Sequence, residues 1–208
     1  MIPFIFIAFI SFAIFFIVVT HYRGKGYGKD FEAYINEEKE ANAIRNKPIG
    51  EDDYFKPDMS VFPIKQNIVE NDAVSRKQAD VIRLSEKKMM RFDAPMTNTE
   101  LKHRFGTVNL EHVTEYEENF YKFIYAVNGW AEALIDAGDE DAAIRALEGG
   151  VKNGAETSKT YTILADIYFK RNMRAEMRGL YDIARNKNMP AREKVRQHIN
   201  DYYIKMGL

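Results

Sequence analysis

Between Ile124 and Tyr203 one pattern of large and small side chains returns every 34 residues, and no other feature of the chain constrains its fold as strongly. Val127-x-x-Trp130-Ala131-x-x-Leu134 lies over Tyr161-x-x-Leu164-Ala165-x-x-Tyr168. The register continues downstream, where Ala143, Leu147 and Gly150 are followed at the same interval by Met177, Tyr181 and Ala184, and a weaker third copy runs from Val195 to Tyr202. Steps of three and four residues within each copy place the apolar positions on one face of an α-helix. A period of this length describes paired helices stacked on like neighbours, because one such pair cannot bury its apolar face alone. Small residues at Ala131 and Ala165 admit a closely packed helix, and the bulky positions fill the space between units.

These residues resemble the tetratricopeptide repeat over about residues 124–203. Tyr161, Leu164, Ala165, Tyr168, Tyr181 and Ala184 match that family's pattern, with Pro190 one residue beyond its usual place. The first copy departs from it with Val127 for an aromatic and Trp130 for leucine, and the second with Asn172 and Met177. The resemblance implies a short solenoid whose concave surface is lined by the first helix of each unit. Carried onto this chain, that surface comprises Tyr125, Asn128, Glu132 and Ile135, then Lys159, Thr162, Asp166 and Phe169, then Glu193, Arg196, Asn200 and Tyr203. A mixed aromatic and polar face of this kind suits an extended peptide or a helix of a protein partner. The Lys and Asn set with which some members hold a partner's terminal carboxylate is not reproduced, since Glu132 stands where asparagine is required.

Ile2 to Val19 carries no charge and is rich in Phe and Ile. As a helix it spans about 27 Å, close to the hydrocarbon thickness of a bilayer. Residues 1–20 therefore read as a single transmembrane anchor, for neither a basic leader nor a small-x-small cleavage site is present. Arg23, Lys25 and Lys29 follow it in a glycine-rich tether at 21–29, and this bias puts the C-terminal domain in the cytoplasm, on the cell membrane.

From 30 to 96 we expect a helix, an extended strap and a second helix, all packing on the repeat. Asp30 can cap the first, whose apolar positions are Phe31, Tyr34, Ile35, Ala41 and Ile44. The strap, Pro48 to Pro63, carries Tyr54, Phe55, Val61 and Phe62 as anchors, or else is a surface loop. The second helix runs from about Asn67 to Phe92 and buries Val74, Val81, Ile82, Leu84, Met89 and Met90. Capping helices at 97–123 lead into the repeat at 124–208. Thr97 and Glu100 have capping-box spacing, Gly106 ends that short helix, and a long helix from near Val108 to Ala137 follows. Its acidic first half is expected to overhang the repeat, and Gly129 marks either a close approach or a break.

The fold class is thus all-α: one transmembrane helix, then a short repeat solenoid with helical caps. With 30 basic and 31 acidic residues the chain implies no bulk electrostatic partner, and the lack of cysteine removes disulfides and thiolate metal sites. His21, His103, His112 and His198 are too far apart in sequence for a local metal motif. Nucleophile elbows, phosphate loops and dinucleotide fingerprints are lacking. We therefore expect no enzymatic activity, cofactor, nucleic acid or small-molecule substrate. A local excess of cations, Lys170, Arg171, Arg174, Arg178, Arg185 and Lys187 with Arg192, Lys194 and Arg196 beyond, offers a basic patch for an acidic protein or the inner leaflet. The function this favours is a membrane-tethered scaffold or adaptor that binds a peptide or helix of a partner. The alternative is an accessory subunit whose repeat is capped by its own chain and whose anchor packs laterally in a membrane complex.

Overall fold

A computed structural model describes residues 31–44, 47–65, 72–186 and 192–208. The expected anchor at 2–19 and its tether lie outside them, as does Lys187 of the basic patch. Among the described residues no helix is long and apolar enough to cross a membrane. The described chain is all-helical, with short 3-10 turns at Glu51–Asp53, Met59–Val61 and Thr107–Asn109. Its helices are α1 at 31–43, α2 (Ala73–Ser85), α3 (Asn98–Phe105), α4 (Leu110–Asp136), α5 (Glu140–Lys152), α6 (Ser158–Lys170), α7 (Arg174–Asn186) and α8 (Arg192–Lys205).

The chain divides into two compact units, 1–49 with 96–111, and 50–95 with 112–208, so α1 is grouped with α3 and not with the repeat. In the first unit Thr97 caps α3 by the expected reciprocal box, its hydroxyl accepting from the Glu100 N–H while the Glu100 carboxylate accepts from the Thr97 N–H at 2.6 Å. Glu38 on α1 accepts from Thr99 at 2.8 Å and pairs with Lys102, and Asn109 donates to the Lys47 carbonyl at 2.6 Å. Ala41 and Leu101 are buried between these elements, whereas Phe31 and Tyr34 are not the core residues their spacing suggests. They remain 64% and 56% exposed.

In the second unit the strap does pack. Phe55 meets Phe120 edge-on at 5.1 Å, Tyr54 meets Tyr116 at 5.5 Å, and buried Phe62 meets Phe123 at 5.9 Å and Trp130 at 6.5 Å. Gly149 on α5 leaves the room that Phe62 needs, since a β-carbon there would lie 2.9 Å from the ring. Asn153 then pins the strap's backbone, accepting from the Asp58 N–H at 2.7 Å and donating to its carbonyl.

The second expected helix is shorter than its apolar stripe. α2 stops at Ser85, and Met89 and Met90 are buried from an extended segment instead. There Phe55 donates its N–H to the Met89 carbonyl at 2.8 Å, and Met90 donates to the Tyr116 carbonyl at 3.1 Å. These bonds replace the helical ones, so burial alone could not distinguish the two backbones. The first half of α4 accordingly packs on this segment and the strap, with Asn119 donating to the Lys88 carbonyl. Gly129 neither breaks α4 nor admits a neighbour closely, the nearest atoms to an added β-carbon being those of Lys77 at 3.9 Å.

The period is visible in the backbone as well, at 34 residues from the first copy to the second and 35 from the second to the third. α4 ends with Asp139 donating to the Leu134 carbonyl, α6 with Met173 donating to Tyr168, and α8 with Leu208 donating to Tyr203, the same closing bond each time. The residue before each donor has positive φ: Gly138 at 80°, Asn172 at 54° and Gly207 at 66°. Such a turn reverses the chain, so α7 returns along α6, while α6 packs against α5, α7 and α8, and Val127 of α4 lies 3.4 Å from where a β-carbon on Gly150 of α5 would stand. Trp130, Ala131, Leu134, Ala143, Leu147, Tyr161, Leu164, Ala165, Tyr168, Met177 and Ile199 form one continuous core.

Candidate binding face

The face in question is built where α4 and α6 lie side by side. Asn128 fixes their register from inside. It donates to Thr157 at 3.0 Å and accepts from Thr160 at 2.8 Å, and is 1% exposed. It therefore lies within the interface between α4 and α6, not on the open surface where the repeat pattern puts it, because its amide completes a hydrogen-bonded trio with the Thr157 and Thr160 hydroxyls, themselves 2.7 Å apart. Around it the expected residues do reach solvent. Tyr125 is 59% exposed, and Glu132 pairs with Lys159 at 2.8 Å across the two helices. Thr162 hydrogen-bonds back to the Ser158 carbonyl, and Phe169 lies at the far end, partly exposed.

Across α6 the third helix sits differently from expectation. Asp166 accepts from Tyr202 at 3.0 Å and pairs with His198 at 2.8 Å, and Phe169 stacks on Tyr202 with centroids 4.2 Å apart. Arg196, Asn200 and Tyr203 instead turn toward α7. Arg196 donates to the carbonyls of Ala184 and Arg185, Tyr203 stacks on Tyr181 at 4.5 Å, and Asn200 lines a hollow of about 320 Å3 with Glu193 and Tyr181. The repeat spacing missed this because the third copy is weak: two flat aromatic pairs set the rotation of α8, and Tyr202 and Tyr203 are adjacent in sequence. His198 and Tyr202, four residues apart, were the available signal.

Two cations of the basic patch are paired with acids. Lys170 pairs with Glu140 at 2.6 Å and Arg171 with Asp141 at 2.5 Å, both acids belonging to the first turn of α5. Arg174 donates to the Gly207 carbonyl at 3.1 Å, and Arg178 and Arg185 are exposed on α7. The opposing acids are 30 residues upstream, too distant for a count of local charge to include.

The strap touches Phe120, Phe123, Trp130 and α5, and so does not cover the side of α4 that carries Tyr125 and Glu132. No family model matches the chain, and neither the curated proteins nor the solved structures hold a match to it.

At the N-terminal edge of the face, Glu117, Tyr121 and Tyr125 form a stripe at four-residue steps along α4. Partial burial raises the Glu117 carboxyl above the usual carboxylate range and the Tyr121 hydroxyl above the usual phenol range. This stripe falls outside the repeat frame, and sequence reasoning that followed the frame recognised Tyr125 alone. Farther in, Tyr161 donates to the Ala155 carbonyl at 3.0 Å and Tyr168 to Glu148 at 2.7 Å, which ties α6 to the end of α5. Both hydroxyls are pushed well up by burial and stay protonated donors. They brace the face without opening onto it.

Proposed function

We propose that this chain is a tetratricopeptide-like adaptor, held at the cell membrane by residues 2–19 with its helical domain in the cytoplasm, that docks a peptide or helix of a partner protein on the α4/α6 face. What carries the reading is one observation: Tyr125, Glu132, Lys159, Asp166 and Phe169 form a solvent-facing band of aromatic and charged groups, and the chain's own strap packs elsewhere. The 34-residue spacing and its recurring helix-ending turn support a repeat of this class. Aromatic side chains on a rigid helical platform supply contact area at low entropic cost, and the flanking charges set register.

Site-specific photo-crosslinking in the native membrane tests this. A photoreactive residue at Tyr125 or Phe169 of the full-length chain should capture the same protein, while one at exposed Arg145 on α5 should not. Capture only from positions within 2–19 would reject the docking face in favour of an accessory subunit packed through its anchor.

A further inference from the structure

Residues from three segments enclose a cleft of about 280 Å3 at the edge of the docking face. Glu117, Tyr121 and Tyr125 come from α4, Phe92 and Pro95 from the chain after α2, and Glu156 from the approach to α6. The volume is below the roughly 300–1,000 Å3 of pockets that enclose a whole small molecule, and matches a single side chain better. Its walls are mostly apolar, yet two carboxylates stand in them. Among the described residues that line it the one cation is Lys159, whose ammonium is engaged by Glu132 at 2.8 Å.

That combination selects its occupant. An anionic group would meet Glu117 and Glu156. An apolar group would strip water from the half-buried Glu117 and return no hydrogen bond, which costs free energy. A cation resolves both conditions, because the exposed faces of Tyr121 and Tyr125 attract positive charge and a carboxylate beside them receives it. Between the two basic side chains, arginine presents a flat guanidinium that stacks on a phenol ring while forking to a carboxylate, whereas the lysine ammonium is more strongly hydrated and makes no such plane. We infer that this cleft seats an arginine side chain of the partner segment docked along α4 and α6. The raised Glu117 carboxyl agrees with a site whose charge is incompletely solvated until it is filled. The inference rests on the α4/α6 face being the docking surface and adds the chemistry that the bound segment must carry.

The test is selection of displayed random peptides on the full-length chain in detergent micelles, followed by affinity measurement with the synthetic winners. Arginine should be enriched at one position of the selected peptides. Its replacement by citrulline, which keeps the shape and removes the charge, should weaken binding by about tenfold or more. Glu117→Gln and Tyr121→Ala should each cause a loss of similar size, with the melting temperature of Glu117→Gln unchanged as the control for folding. Peptides without a basic residue, no enriched peptide, or arginine peptides indifferent to Glu117→Gln would each overturn the cleft assignment. So would competition by unlabelled protein alone, which would make a second copy the occupant. Crosslinking from Tyr125 and Phe169 judges the docking face separately, so failure of the cleft and failure of the face are distinguishable.

Discussion

Phe62 shows how one side chain joins distant parts of the chain. It is 7% exposed, lies between Phe123 and Trp130, and fits over the bare backbone of Gly149 on α5. Phe62→Ala should lower stability by about 3–5 kcal/mol, the range for emptying a buried aromatic site. Trp130, the chain's single tryptophan, reports on the same place. Its emission should shift to the red in the variant as water reaches a ring that is 1% exposed in the wild type, and the denaturant midpoint measures the loss. Tyr54 and Phe55, less deeply seated, should matter less. The strap's anchoring role was legible from four large apolar groups in a proline-bounded segment. Its resting place was not, because the partner Gly149 lies 87 positions from Phe62 in the numbering and carries no side chain to give a signal.

Among the elements, α5 owes its start to Asp139. The carboxylate accepts from the Ala142 N–H at 3.1 Å and from Lys65 at 3.1 Å, and these bonds, that with Lys65 foremost, hold its carboxyl below the usual aspartate range. A group whose folded pKa is depressed stabilises the fold above its unfolded pKa, and that contribution fades as the pH falls through the folded value. Asp139→Ala should therefore cost about 1 kcal/mol at neutral pH, as a lost cap does. The gap between variant and wild type should close in acid, below the ordinary aspartate range, in urea titrations run across that window. Met173 occupies the corresponding place before α7 and offers no such cap, so the equivalent substitution there should show no dependence of this kind. The elements themselves were readable: the capping box at Thr97, the stop at Gly106 and the long α4 all lie where local rules put them. α2 was read too long because Met89 and Met90 continue its apolar stripe while their backbones bond to Phe55 and Tyr116.

At the scale of the whole molecule, the chain divides into two compact units, and the proposal of a cytoplasmic domain concerns which side of a membrane the helical part occupies. If residues 2–19 anchor the chain with its basic flank inward, protease added to sealed, right-side-out vesicles should leave the epitope at the C-terminus intact until the membrane is permeabilised. Digestion without permeabilisation would place the domain on the outer side and remove the inner-leaflet setting of the proposal. The binding face does not depend on that result, since it is built wholly from the second unit.

What the sequence determined alone was the helical class, the interval at which its pairs recur and the residues that fill their shared core. Those depend on local periodicity and on side-chain size, and both are written along the chain. Only the tertiary structure decided that Asn128 is an internal clasp, that Lys170 and Arg171 answer Glu140 and Asp141, that α8 turns Arg196, Asn200 and Tyr203 toward α7, and that Glu117 and Tyr121 share a cleft with Phe92. Each depends on a contact between residues far apart in the chain. The repeat interval brings like positions near one another, but the rotation of a helix about its own axis is set by the packing of specific partners.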